Sequence, residues 1–340
     1  MNGDCSQEDE EISKVVVITG ANSGVGFALA QRLLALEITV TICLACRNVA
    51  KAEKAKTELE EEYKGAKVDI LQLDTSSIAS VTAAAKELQR RYRQIDYLYL
   101  NAGIMPDTGI NWDYLLWCLI HPSYLVDALS TGEGLLKMQD SDTKDGLKLI
   151  FATNLFGHFL LVRKLEDFLC EKGCHIIWTS SSNARKKNFS MDDIQDKKGR
   201  QPYSSSKHGI NLISNAINDR LKEKNVFSHV ICPGFSITGM TSPMLGSLLW
   251  SLLYPLFVLL RLFIPIMCVT PWNSAEVLVW LFQSDASEVN PALLHTSHKS
   301  FLGKGYVKSK KIEFYSHEPR LLYKRLVALQ TTLEGMGPIG

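Results

Sequence analysis

Tyr203-Ser-Ser-Ser-Lys207 sets a phenol four residues ahead of an amine. On a helix that spacing puts both side chains on one face. A phenol has a pKa of about 10 in water, too weak an acid to exchange protons easily near neutrality. An ammonium beside it favours the phenolate and lowers that pKa. The pair is then a proton donor and acceptor for an alcohol or a carbonyl. Chance produces this spacing often, and a second feature far upstream gives it weight: Thr19-Gly-Ala-Asn-Ser-Gly-Val-Gly26. Glycines there allow a tight turn and let backbone amides approach a pyrophosphate at a helix N-terminus. An apolar β-branched run, Val15–Thr19, precedes this loop and a helix-patterned run, Phe27–Leu36, follows it. That context is what a nucleotide loop requires. Its candidate binding residues are Gly20, Asn22, Ser23, Gly24, Val25 and Gly26.

An NAD site places an acid roughly 20 positions beyond the glycines, on the ribose 2′-hydroxyl. Here that position reads Leu44-Ala-Cys-Arg-Asn48, with no acid. Arg47 is available for a 2′-phosphate. An exposed arginine at a strand end is common in itself, but with the acid missing the expected cofactor is NADPH/NADP.

Elements must hold these groups together. Apolar runs at Val15–Thr19, Ile38–Cys46, Val68–Leu73, Ile95–Leu100, His175–Thr179 and Phe227–Cys232 read as strands. Between them, Phe27–Leu36, Ala50–Tyr63, Ser77–Arg91 (with Ser77 as a cap), Asp145–Phe168 and Tyr203–Glu223 read as helices. This alternation predicts an α/β fold, a doubly wound, Rossmann-like parallel sheet. The catalytic domain is expected over 14–310, after a disordered acidic tail at 1–13 and before a helical tail at 311–340. Residues 106–144 break the alternation and read as an insertion with some helix. They suit either extra core or a cavity wall or membrane-facing element.

The 340 residues are 46% hydrophobic and 21% charged, ordinary for a globular core, and the net charge of +1 offers no case for a nucleic-acid partner. The N-terminal residues lack a basic region followed by an apolar one, so no secretory signal is expected. Eight cysteines in so long a chain are not a disulfide scaffold. Cys43 and Cys46 have the spacing of a redox or metal pair, yet on a strand they face opposite sides, so buried strand residues are expected and no metal site.

Met244–Val269 is apolar, with one charge at Arg261 and prolines at Pro255 and Pro265. It suits a buried helix, a transmembrane span, or a hairpin or amphipathic element dipping into one leaflet. The prolines and the internal position favour the last. A full crossing would put parts of one domain on opposite sides of a membrane.

The glycine loop, Asp74, Asn101-Ala-Gly103, Asn154, Ser181, Tyr203-x3-Lys207 and Pro233-Gly234 together resemble the short-chain dehydrogenase/reductase family, over most of 14–240. A closer resemblance, to steroid-ketone reductases within it, rests on Cys43–Asn48, Tyr99–Pro106, Phe156–Phe159, Ile177–Ser181, Ala184–Lys186, Asn188–Ser190 and Pro202–Lys207. It runs from about Lys14 to Tyr306 and is poor in the final 30 or so residues.

The resemblance implies that Tyr203 is acid and base, that Lys207 lowers its pKa and binds the nicotinamide ribose, and that Ser181 orients the substrate oxygen. It implies that Asn154 holds a water in a proton relay. Asp74 would meet the adenine, Asn101, Ala102 and Gly103 would pass beside the cofactor, and Pro233, Gly234 and Thr238 would meet the nicotinamide amide. The bland alternatives are a strand-end turn for Asn101–Gly103 and a structural role for Asn154.

Three serines are consecutive, Ser180, Ser181 and Ser182. Ser181 is preferred because it follows its strand directly, although it stands 22 residues before Tyr203. Ser190 stands 13 before, the spacing of shorter members, and is the second choice. Otherwise it is a polar loop residue or cap.

The implied function is NADPH-dependent reduction of a steroid ketone, above all the 3-keto group of a sterol intermediate in cholesterol biosynthesis, with 17-ketosteroid reduction beside it. The implied setting is the endoplasmic reticulum membrane, catalytic domain towards the cytoplasm. A membrane surface is then a partner, and the family also admits a homodimer. The alternatives are a retinal or other lipid-carbonyl reductase, and a non-catalytic membrane-attached NADPH-binding scaffold. The intact Ser181, Tyr203 and Lys207 count against the scaffold.

Overall fold

The computed structural model describes residues 13–121, 124, 128, 133–198, 201–236, 254–255 and 258–335. β1 (Val15–Thr19) is β-branched, and Val16, Val17, Ile18 and Thr19 are fully buried. That is the signature of a strand covered on both faces. It pairs in parallel with β2 (Thr41–Cys46) on one side and β4 (Tyr97–Leu100) on the other. β3 (Lys67–Gln72), β7 (Cys174–Thr179), β8 (Val226–Cys232), β11 (Leu293–Lys299) and β12 (Gly305–Lys311) complete an eight-stranded sheet in the order β12-β11-β8-β7-β4-β1-β2-β3. Only β12 is antiparallel to its neighbour. The chain order reverses between β1 and β4, and the crevice beyond their carboxyl ends is where such sheets bind ligands.

Alternate residues feed two cores. Val17, Cys43, Leu98 and Ile176 face one, with α3 (Ile78–Arg91), α5 (Gly157–Lys172), α6 (Pro202–Leu221) and α8 (Glu318–Gly335). Ile18, Leu44, Tyr99 and Ile177 face the other, with α1 (Gly24–Leu36), α2 (Val49–Glu62) and α7 (Glu276–Gln283). Cys43 and Cys46 do fall in opposite cores, and the described cysteines are all free. α8 seats fully buried Leu322 and Leu326 in the first core, and its Tyr323 ring meets Phe159 edge-on at 5.6 Å.

Several boundaries move. The helix expected from Asp145 begins at Leu149, because the Asp145 carboxylate is used elsewhere, accepting the Ile78 N–H at 2.9 Å to start α3. A π turn at Ala152–Phe156 then interrupts it before α5. β2 starts at Thr41, not Ile38, because a turn closed by the Val40 N–H on the Glu37 carbonyl leaves Ile38 exposed. β11 and β12 are additions to the expected strands. Their histidines, serines and lysines hide the apolar alternation.

In the insertion, β5 (Asp107–Ile110) and β6 (Leu136–Met138) pair antiparallel. α4 (Trp112–Ile120) lies between them, with Cys118 its buried residue and Trp112, Leu116, Leu119 and Ile120 exposed. It is therefore not extra core.

The apolar run also ends earlier than Val269. Met267–Val269 is a buried strand, β10, paired in parallel with β9 (Phe235–Ser236). No helix among the described residues is long and apolar enough to cross a membrane. The acidic tail at 1–12 and residues 244–253 and 256–257 of the apolar run lie outside the described residues.

Candidate active site

β7 ends at Thr179, and the three following serines take three different roles. The Ser180 hydroxyl lies 2.6 Å from Asn211 Oδ1 and 3.2 Å from the Lys207 carbonyl, pinning the strand end to α6. Ser182 hydrogen-bonds the Cys232 thiol. Ser181 alone bonds the Tyr203 phenol, and its oxygen also accepts the Asn183 N–H at 3.1 Å. Ser190 is exposed in a turn closed by the Asp193 N–H on its own carbonyl. Ser181, not Ser190, is the serine brought to the tyrosine.

Tyr203 and Lys207 sit on the first turns of α6, opened by Pro202 at its first position. The Lys207 ammonium lies 5.6 Å from the Tyr203 ring centroid and donates to the Thr179 carbonyl at 2.8 Å. Burial depresses Lys207 to about 8. Burial also pushes the Tyr203 phenol up to about 12, against the pull of the Ser181 hydrogen bond. In the protein alone, burial thus holds the phenol above its ordinary value. The ammonium is turned to a backbone carbonyl.

Asn154 lies in the π turn and is fully buried. Its Oδ1 accepts the Ile104 N–H at 2.8 Å, and its Nδ2 donates to the Ile104 carbonyl at 3.1 Å and to Ser206 Oγ at 3.1 Å. The side chain is a clamp between the end of β4 and α6. Its backbone carbonyl lies 3.2 Å from His158 Nδ1, and His158 Nε2 lies 3.0 Å from Thr19 Oγ1. Burial lowers His158 to about 4, so the ring is neutral. With Nδ1–H donating to Asn154, Nε2 accepts from Thr19. The Thr19 oxygen in turn accepts the N–H groups of Asn101 and Ala102, each at 2.9 Å. Thr19, His158, Thr179, Ser180, Ser206 and Cys232 neighbour the site, and the sequence motifs assign none of them a role there. The one available signal is Thr19 at the strand end and His158 one turn after Asn154.

The glycine loop fits a dinucleotide. A Cβ on Gly26 would come within 2.7 Å of Asn101 Nδ2 and of the Gly20 carbonyl, so only glycine lets α1 approach the end of β4. Asn101 Nδ2 also donates to the Thr19 carbonyl at 3.0 Å, placing Asn101, Ala102 and Gly103 beside the loop. Ser23, at the start of α1, makes no side-chain cap. With Gly24 and Val25 it leaves first-turn N–H groups for a phosphate, whereas the Gly20 N–H is taken by the Ala45 carbonyl at 2.8 Å and the Asn22 N–H by the Cys46 sulfur. Arg47 is exposed at the end of β2, beside the Asn48 cap of α2. Asp74 Oδ1 is held by the Ser76 N–H at 2.9 Å and the Ser76 hydroxyl at 2.7 Å. Pro233 and Gly234 follow β8, and the next residue's N–H, of Phe235, bonds the Ile266 carbonyl. Thr238 lies outside the described residues.

The model of the short chain dehydrogenase family matches residues 14–114 and 123–246. The chain belongs to that family. As a short chain dehydrogenase it is an oxidoreductase, and its serine, tyrosine and lysine are gathered at one end of the sheet. It is 44% identical to the 3-keto-steroid reductase/17-beta-hydroxysteroid dehydrogenase 7 of Rattus norvegicus, over 93% of this chain and 95% of that protein. With the protein of the same name from Homo sapiens it shares 42% identity over 93% of each chain. Among solved structures, a metagenomic short-chain oxidoreductase in complex with NADP is similar in fold, with a TM-score of 0.54 and 20% identity, covering 82% of this chain and 94% of that one.

Proposed function

We propose that this short chain dehydrogenase reduces the 3-keto group of a sterol with NADPH, at a membrane surface of the endoplasmic reticulum. The convergence of Ser181, Tyr203 and Lys207 supports the reaction. The 44% identity to a 3-keto-steroid reductase over nearly the whole of both chains supports the substrate.

NADPH, when bound, supplies the hydride. The glycine loop and the start of α1 hold its pyrophosphate, and Arg47 answers the 2′-phosphate where an NAD site would carry an acid. Ser181 and Tyr203 point their hydroxyls at the ketone oxygen, whose negative charge grows as the carbonyl is reduced. Tyr203 then delivers the proton to that oxygen. A phenol held up at about 12 is a poor donor to a ketone but a suitable one to an alkoxide, which is the more basic partner. Lys207 is mostly cationic at neutral pH and stabilises the phenolate left behind. The clamp of Asn154 on Ser206 and Ile104 fixes α6 against the end of β4, and so fixes Tyr203 relative to the cofactor cradle.

The test is NADPH oxidation by detergent-solubilised protein offered a 3-ketosterol, estrone and retinal in parallel, with Tyr203→Phe as control. Turnover of the 3-ketosterol that is lost in Tyr203→Phe is the expected result. Turnover of retinal alone would leave the family assignment and remove the sterol. Tight NADPH binding without turnover would point to a scaffold.

A further inference from the structure

β11 and β12 form a hairpin in unbroken register, from Leu293 opposite Lys311 to Lys299 opposite Gly305. Its turn is tightly built. The Ser300 N–H meets the Lys304 carbonyl at 2.8 Å, the Gly303 N–H meets the Ser300 carbonyl at 2.9 Å, and Lys299 Nζ donates to the Gly303 carbonyl at 2.8 Å. On this ordered tip stand Phe301, 66% exposed, and Leu302, 91% exposed. Two large apolar side chains held out by a rigid turn are not packing groups of this fold.

Charge along the hairpin itself is one-sided, and the carboxylate seen against it, Glu276 beside Gly305, is paired with Arg32 at 2.9 Å. From Val289 to Ile312 the chain carries Lys299, Lys304, Lys308, Lys310 and Lys311 and no acid. β11 runs parallel to β8, so the tip lies at the same end of the sheet as the Tyr203 site. The Lys299 N–H bonds the Pro265 carbonyl at 2.8 Å, which ties the tip to the end of the apolar run, where Leu259 and Phe263 are also exposed.

We infer that the β11–β12 tip is a second membrane contact, in which Phe301 and Leu302 enter the surface of a bilayer and lysines beside them bind anionic phospholipid headgroups. This rests on the reading that the protein works at a membrane, and adds to it an element and a lipid preference. Strand geometry orders the lysines. An apolar face enters a bilayer by about 5–10 Å. Lys299 and Lys304, flanking the tip, then reach the headgroups. Lys310 stands six residues further along β12, roughly 20 Å away at about 3.3 Å per residue. That exceeds the Debye length of about 8 Å at physiological salt, so Lys310 contributes nothing.

The experiment is flotation of the full chain with phosphatidylcholine vesicles and with phosphatidylcholine/phosphatidylserine vesicles, with NADPH turnover in detergent to show that each variant is folded. The wild type is expected to float with both and better with the anionic ones. F301S/L302S should lose at least tenfold in partitioning to both. K304Q should lose about fivefold to the anionic vesicles only, and K310Q should change nothing. A wild type that floats with neither vesicle overturns the membrane reading and this inference together. A wild type that floats, with F301S/L302S floating equally and keeping its serine preference, overturns the hairpin inference alone. Hairpin variants that instead change sedimentation from dimer to monomer, with flotation intact, assign the tip to a second copy of the chain and also overturn it.

Discussion

Lys207→Met should make the cofactor-free protein more stable while abolishing its activity. Lys207 is 3% exposed, and its one described hydrogen bond is to the Thr179 carbonyl. Burial moves it from 10.5 to about 8. A tenfold change in a protonation equilibrium is worth about 1.4 kcal/mol, so keeping the ammonium charged at pH 7 costs the fold about 3 kcal/mol. Methionine fills similar volume without charge. Leaving the Thr179 carbonyl without its donor returns about 1 kcal/mol of that gain. The net expectation is about 2 kcal/mol, or roughly 4 °C in melting temperature.

The pH dependence is the sharper check. The folded-state pKa lies below the unfolded one, so between about 8 and 10.5 the unfolded chain binds more protons and wild-type stability rises with pH. The advantage of the variant should therefore nearly vanish, falling from about 2 kcal/mol at pH 7 to less than about 0.5 kcal/mol by pH 9.5. Urea unfolding of both proteins at pH 7 and 9.5, without cofactor, measures it. NADPH should reverse the order by stabilising the wild type more. A variant less stable than wild type at pH 7, or a gap that does not narrow with pH, would refute the reasoning.

Other outcomes follow from the same geometry. Ser181→Ala should lower kcat for the ketone by about 100-fold or more, as loss of a donor to the reacting oxygen does, while Ser190→Ala should leave steady-state kinetics unchanged; the reverse pattern would return the role to Ser190. Arg47→Asp should raise the KM for NADPH at least tenfold and lower that for NADH; an unchanged NADPH KM would remove Arg47 from the 2′-phosphate. Gly157→Ala should destabilise strongly, by roughly 3 kcal/mol, because its Cβ would lie 1.8 Å from the Thr75 carbonyl oxygen; denaturant midpoints equal to wild type would show that α5 can shift away from Thr75.

The parts legible in the sequence are those written in local periodicity. Val15–Thr19 declares a buried strand by its branching alone, and Ser77 declares its cap, which accepts the Ser80 N–H at 3.3 Å. What fails is non-local. Asp145 carries helix-compatible neighbours, yet its carboxylate belongs to the start of α3, 67 residues away in sequence. The Thr19–His158 contact spans 139 residues, and the motifs that hold the two give no sign that they meet. β11 escapes notice because its buried positions include His295 and Ser297, polar groups that find partners in Ser309 and the Ser274 carbonyl only once the chain is folded. The glycine loop and the β4 end are each readable as motifs, but Thr19 binds both segments together, and that proximity also needs the sheet.

The triplet between Tyr203 and Lys207 shows why the motif alone underdetermines the site. Ser204, Ser205 and Ser206 read as interchangeable filler, yet all three are buried and they differ in use. Ser204 Oγ bonds the Asn183 carbonyl and accepts Asn188 Nδ2 at 2.9 Å, so it anchors the loop that carries Ser181. Ser206 Oγ bonds the Tyr203 carbonyl at 2.8 Å and accepts Asn154 Nδ2, so it anchors α6 to the π turn. Ser205 Oγ has no protein partner among the described residues. Small hydroxyls at the two anchors, Ser204 and Ser206, do two jobs at once. They let α6 approach its neighbours closely, and they satisfy polar groups that burial would otherwise leave unpaired. An apolar residue at 204 would keep the helix, the phenol and the amine, yet would free the 183–188 loop and with it the Ser181 hydroxyl. The Tyr-x3-Lys spacing specifies the proton chemistry; the residues inside the spacing decide where the ketone oxygen must sit.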